Sequence, residues 1–278
     1  MSMPFISVVI PAFNSEKTIE GCINSLLCQD YPKNKYEVIV VDNGSTDNTF
    51  RILKKMHERI RIFREPEIGS YNARNLGAKN AKGKIIAFTD SDCVADKKWL
   101  FCISKAFEDK AIRLVGGNIK AAKSDNTLMR YCDIFSHSQE AFSESRIPFF
   151  AAGNMAVRAR EFKSAGMFNP VMKSGGDLEF CSRLIKSREE IFYEPGAVVR
   201  HNYEETLSEF IKKQFLYGKW HKFMKHNLKL NPYVKHQNYI KVTKYDWKFL
   251  SFRILQDISF KLGTIIGKTP KYSNPLRH

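Results

Sequence analysis

Ile85-Ile86-Ala87-Phe88-Thr89-Asp90-Ser91-Asp92 is an apolar run that ends in two carboxylates one residue apart. A short, nearly continuous apolar run is the pattern of a strand buried on both faces, as parallel strands are. The end of such a strand delivers Asp90 and Asp92 to the rim of a sheet. Rim carboxylates offer oxygen ligands to a hard divalent cation, and such a cation can hold a diphosphate. Asp-x-Asp by itself is common in turns and at helix N-termini, so the surrounding pattern has to carry the argument.

The pattern repeats upstream. Residues 5–10 form a first apolar run, 36–41 a second that ends at Asp42, and 61–63 a third. Helical stretches alternate with them. Ser15 precedes Ile19, Ile23, Leu26 and Leu27 on one face and reads as a cap. Asp47 stands in the same relation to Phe50, Leu53 and Met56, and residues 70–80 read as a third helix. This alternation predicts an α/β fold, a Rossmann-like, doubly wound mixed sheet. Ligands of such sheets bind beyond the carboxyl ends of the strands, where Asp42 and Asp90 both stand. Past residue 110 strands are expected at 114–119, 149–157 and up to His201, with helices at 126–145 and 178–186.

The net charge is +16 with 43% hydrophobic residues, so a sizeable core is expected beneath a basic surface. From His201 onward fifteen Lys and Arg stand against five Asp and Glu. That tail reads as a helical extension over residues 206–278, appended to a catalytic unit over 1–205. In it Phe210, Phe215, Tyr217, Trp220 and Phe223 interleave with Lys212, Lys213, Lys219 and Lys222, and a polar connector spans 227–245. A last helix is expected over 246–266. Its stripe is Trp247, Leu250, Ile254, Leu255, Ile258, Leu262 and Ile265, with Phe249, Phe252 and Phe260 off that face. Basic charge beside an apolar stripe predicts a peripheral anchor on an anionic membrane surface, with packing on the catalytic unit or a homodimer as the alternatives. The six cysteines show neither a Cys-x-x-Cys pair nor zinc spacing and read as thiols of a reducing compartment. No signal peptide is read at the N-terminus and no run of about eighteen apolar residues occurs. The expectation is a cytoplasmic protein, peripheral at the inner face of the cell membrane.

Taken in order, several motifs resemble those of a family 2 glycosyltransferase with the GT-A fold. They are Ser7-Val8-Val9-Ile10-Pro11-Ala12-Phe13-Asn14, Val38-Ile39-Val40-Val41-Asp42-Asn43-Gly44-Ser45-Thr46-Asp47, Ala73-Arg74-Asn75-Leu76-Gly77, the Asp90-Ser91-Asp92 motif and Gly175-Gly176-Asp177-Leu178-Glu179-Phe180. The resemblance covers roughly the first two hundred residues, and motifs in order are far more specific than any one alone. It implies an inverting, metal-dependent transfer of a sugar from a UDP- or GDP-sugar to a hydroxyl of a lipid-linked or glycan acceptor. It implies that Asp42, with Pro11 and Asn14 beside it, contacts the donor base, that Arg74 lies along the nucleotide, and that Asp90 meets the ribose. Asp92 would hold Mn²⁺ or Mg²⁺, and His201, after the last strand, would approach the metal. Asp177 matches the family's general base, although the Glu that usually precedes it is replaced by Gly176; Glu179 is the fallback. Two other readings compete. A nucleotidyltransferase shares paired aspartates but more often has a Gly-rich basic loop after the first strand, and Pro11-Ala12-Phe13-Asn14 is not one. A basic nucleic-acid- or membrane-binding protein without catalysis fits the tail, but rim aspartates repel a phosphate backbone, so nucleic acid is not expected as a partner. No P-loop pattern occurs.

Overall fold

The computed structural model of the 278-residue chain describes residues 3–135, 149–185, 190–203, 206–230 and 247–270. Most of the expected 227–245 connector, the second half of the 126–145 helix and residue 246 lie outside the described residues. Among the described residues the strands form one eight-stranded sheet in the order β3-β2-β1-β4-β7-β6-β8-β5. They are β1 (Ile6–Ala12), β2 (Tyr36–Asp42), β3 (Arg61–Arg64), β4 (Ile85–Thr89), β5 (Cys93–Ala95), β6 (Leu114–Ala121), β7 (Asn154–Arg158) and β8 (Ile191–His201). The first four strands pair in parallel. β7 runs antiparallel to both β4 and β6, which makes the sheet mixed, as expected.

The buried strands β1, β2 and β4 carry almost nothing polar, so their side chains feed both faces of the sheet. Val8 and Ile10 enter one core, with α1 (Ile19–Leu27), α2 (Thr49–Lys55) and α4 (Trp99–Ala106). Val9 enters the other, with α3 (Ser70–Lys79), α6 (Ala159–Ser164) and α7 (Gly176–Leu184). There Phe88, Phe162, Phe168 and Phe180 pack with ring centroids 5.1–5.2 Å apart. A smaller third core joins α5 (Thr127–Phe135) to the long C-terminal helices α8 (Leu207–Asn227) and α9 (Trp247–Ile266) through Tyr131, Phe210 and Phe249.

Two local expectations change. The strand read over 149–157 begins only at Asn154, because residues 151–153 turn at the site described below. Ser15 supports α1 through its carbonyl, which accepts from Thr18 and Ile19, and not through its hydroxyl. α9 also turns its apolar stripe away from the protein. Phe249, Arg253 and Gly263 are buried, as is Gly267 just past its end, while Ile254, Ile258, Leu262 and Ile265 of the stripe are exposed. The cause is the crossing with α8. A Cβ on Gly218 would sit 1.9 Å from the Phe260 carbonyl oxygen, and one on Gly263 would sit 2.0 Å from that of Phe215. Glycine at both positions lets the helices meet backbone to backbone, and this contact sets the rotation of α9.

Candidate active site

Parallel register puts the candidate residues on one rim. Ala12 pairs with Asp42, and Val9 with Phe88, so β1, β2 and β4 end side by side. Asp42 is fully buried; its Oδ1 accepts from the Ser45 amide at 3.3 Å. Its Oδ2 receives no hydrogen bond and meets the Arg64 guanidinium at 3.4 Å. A pocket of about 340 Å³ opens there, lined by Asp42, Gly44, Arg64, Glu65 and Pro66. Pro11 is buried at the end of β1. Asn14 has a positive φ of 48° and braces the facing loop, its Oδ1 accepting from the Thr46 amide at 2.8 Å.

Asp90 and Asp92 follow β4, and the two carboxylates have different partners. Asp90 is bound by Arg74 of α3, which is 5% exposed and stands over the Tyr71 ring. Burial works against the Arg74 charge, yet Asp90, Tyr71 and Asp177 together raise its pKa above the ordinary value. Arg74 is therefore neither an exposed helix charge nor free. Two neighbours in the motif place it. A Cβ on Gly77 would come within 2.4 Å of Val9, so only glycine lets α3 lie this close to β1. Asn75 fixes the far side, donating to the Phe168 carbonyl and accepting from its amide at 2.8 and 3.0 Å.

Asp92 faces His201, with Oδ2 and Nε2 3.4 Å apart. Burial and the Asp90 charge hold its carboxyl above the ordinary carboxylate range, while His201 and Lys213 of α8 pull it down. His201 is held between two strands, opposite Cys93 in β5 and Ala121 in β6, and its ring leans on Tyr203 at 4.9 Å. The ligand atoms of Asp92, Cys93 and His201 all lie within 4.8 Å of one another. Burial, with the Asp90 and Asp92 charges, pushes the Cys93 thiol well up, and a thiolate is a soft ligand that suits a hard cation poorly. The imidazole and carboxylate that remain suit Mn²⁺, and the carboxylate suits Mg²⁺.

Asp177 lies in the first turn of α7. Its Oδ1 accepts from the Leu178 amide at 2.9 Å and its Oδ2 from the Ala152 amide at 3.2 Å. The Tyr71 hydroxyl donates to Oδ1 at 3.5 Å and accepts from the Gly176 amide at 2.9 Å. Burial raises the Asp177 carboxyl above its ordinary 3.8, against the pull of these amides and of Arg74. Gly153, the residue after Ala152, lies against Asp90, where an added Cβ would stand 2.9 Å from Oδ2. Asp177 and Asp90 thus flank the Ala152-Gly153 turn, which is why β7 starts late. Glu179 is 3% exposed and bound at 2.7 and 2.8 Å by Arg183. That pairing removes it as a fallback base. Tyr71 went unread in the sequence; its one signal is that it stands three residues before Arg74, on the same helical face. Met224 of α8 packs over Gly175, so α8 lies against the start of α7, two residues before Asp177.

A mixed α/β sheet with acidic residues at the ends of its second and fourth strands, and a further acid on a helix beyond, is the architecture of a GT-A glycosyltransferase. Solved structures agree. The mannosyltransferase PcManGT from Pyrobaculum calidifontis, in complex with GDP-Man and Mn²⁺, superposes with a TM-score of 0.64 at 18% identity, covering 95% of this chain and 73% of that one. TarS 1-349 from S. aureus, in complex with UDP-GlcNAc, gives 0.61 at 19% identity over 94% of this chain and 81% of that one. The model of the family described as "Glycosyl transferase family 2" matches residues 7–165. "Glycosyltransferase AglE" of Haloferax volcanii is 34% identical over 223 residues, 78% of this chain and 73% of that protein. The chain belongs to glycosyl transferase family 2, and it is a glycosyltransferase. A relative from Methanococcus voltae, "Dolichyl N-acetyl-alpha-D-glucosaminyl phosphate 3-beta-D-2,3-diacetamido-2,3-dideoxy-beta-D-glucuronosyltransferase", is 26% identical over 236 residues, 78% of this chain and 72% of that protein. Family membership sets aside the nucleotidyltransferase and non-catalytic readings. Among the described residues no helix is long and apolar enough to cross a membrane.

Proposed function

We propose that this glycosyltransferase moves a sugar from a UDP- or GDP-sugar to a hydroxyl of a lipid-linked or glycan acceptor, with inversion at the anomeric carbon and with Mn²⁺ or Mg²⁺ bound. The observation that carries the reading is the placement of Asp177 and Asp90 on either side of the Ala152-Gly153 turn. One carboxylate is then beside the nucleotide-binding motif and the other is aimed from a separate element. A direct displacement needs a base for the incoming hydroxyl and no protein nucleophile. Asp177 accepts that proton, and its raised pKa makes it a stronger base than a free carboxylate. Tyr71, Leu178 and Ala152 hold its oxygens in place.

On the donor side, Asp42 Oδ2 is a buried acceptor without a hydrogen-bond donor, as a base N–H would require, and Pro11 and Asn14 border it. Arg74 holds Asp90, which in this reading would meet the ribose. Asp92 and His201 would hold the cation, which when bound acts as a Lewis acid toward the departing diphosphate. Support for a lipid-linked acceptor comes from the Methanococcus voltae relative, whose name carries a dolichyl phosphate-linked sugar.

The test is turnover with a panel of nucleotide sugars, with NMR of the product's anomeric centre. The expected result is nucleoside diphosphate release that stops with chelator, returns with Mn²⁺ or Mg²⁺, and gives an inverted product. Asp92→Ala should abolish it with the melting temperature kept, since the residue lies at a rim. Full activity in excess chelator, or a retained anomer, refutes the reading.

A further inference from the structure

We infer that the exposed stripe of α9 is a docking face for an anionic lipid surface. The inference stands beside the transfer chemistry and does not depend on it. Ile254, Ile258, Leu262, Ile265 and Ile266 are 45–68% exposed, although the other side of α9 is buried against α8 and α5. The positions recur at helical spacing and form one continuous aliphatic strip, covered by nothing among the described residues. A scattered exposed isoleucine needs no explanation, but a row of them on one helix face does.

Charge decides among the occupants. Lys261 is exposed three residues after Ile258 and four before Ile265, which places it on the face of the stripe. Lys268 follows at the helix end, also exposed, and Lys225 is exposed on α8. A two-fold axis through the middle of the stripe would bring Lys261 near its own equivalent, and the one acid described on α9, Asp257, is already engaged by Arg253 at 3.5 Å. An anionic headgroup layer attracts the lysines while the aliphatic side chains enter the headgroup boundary, which is how an interfacial helix binds. Phe249, on the buried side of α9, shares a core with Tyr203, whose ring contacts His201, so α9 is joined through that core to the end of β8.

Flotation with phosphatidylcholine vesicles, with and without phosphatidylserine, tests this on the full chain. The chain should float with phosphatidylserine vesicles only and be released by high salt. Ile258→Glu/Leu262→Glu should lower binding by roughly tenfold or more. Lys261→Glu/Lys268→Glu removes two cations and should lower it at least about thirtyfold. All four residues are exposed, so melting temperature and donor binding should be unchanged in both variants. Flotation reads no turnover, so its outcome is independent of the transfer reaction. Three results overturn the inference: a full chain that stays down with both vesicles, variants that float like it, or a full-length dimer that Ile258→Glu/Leu262→Glu converts to monomers in sedimentation.

Discussion

Arg74 keeps a full charge where an unpaired guanidinium would be costly, and what it receives in return is a fixed Asp90. Arg74→Leu should therefore act on both stability and catalysis. Breaking such a pair destabilises by about 1–3 kcal/mol, below the usual cost of a buried pair because the Asp90 carboxylate still touches solvent. Turnover should fall with it, read as kcat/KM beside a chemical unfolding curve; a variant with wild-type kcat/KM would remove Arg74 from the site. Asp177 tests the base. Asp177→Asn keeps the shape and loses the proton acceptor, so turnover should drop about 10²-fold or more with donor binding little changed. The pH profile follows from the same residue. The base works deprotonated and its pKa is raised, so the acid limb should lie above the 3.8 of a free carboxyl. Activity should fall as pH descends through that limb, and Asp177→Asn should abolish the limb in whatever turnover remains. The rim positions of Asp42, Asp90 and Asp92 were open to reading because a strand end is where a sequence reveals a rim. The partners of Arg74 and Glu179 were not, since an ion pair depends on which turns of separate elements meet.

α9 was legible as a helix and illegible as a surface. Its aliphatic positions repeat at 3.6-residue spacing, which marks a stripe without saying whether protein or another surface covers it. The residues buried in fact include Phe249, Arg253, Gly263 and Gly267, a set that no hydrophobic count would select. Glycine carries no apolar signal, yet here it fixes the packing by allowing backbone contact. The contrast between two glycines makes this measurable. Gly→Ala inside a helix normally stabilises by about 1 kcal/mol. Gly21 of α1 is exposed with nothing within 4 Å of an added Cβ, so Gly21→Ala should show that gain. Gly263→Ala pushes a methyl into the Phe215 carbonyl, and overpacking of about 1–3 kcal/mol outweighs the propensity gain, so the sign should reverse. Urea unfolding of the two variants decides it, and a stabilised Gly263→Ala would mean that the helices do not meet this closely.

Across the whole molecule, composition suggested a basic tail appended to a catalytic unit, and the packing joins the two. Trp220, Phe223 and Met224 of α8 lie in the same core as Val9, Phe88 and Phe180, and Met224 covers the glycine two residues before Asp177. The sequence could not show this. Aromatics interleaved with lysine mark an amphipathic helix but not the body it packs on. If one core runs through both parts, they cannot unfold separately without exposing it. Calorimetry of the full chain should therefore give a single cooperative transition, with the van't Hoff enthalpy matching the calorimetric one. Phe223 is fully buried, and Phe223→Ala should remove about 3–5 kcal/mol. For a chain of this size that lowers the melting temperature by roughly 10 °C. The whole transition should move, and donor binding below it should weaken only slightly. A trace that splits, with an early peak sensitive to Phe223→Ala and a later one that is not, would mean that the C-terminal helices form their own cooperative unit and only rest against the catalytic one.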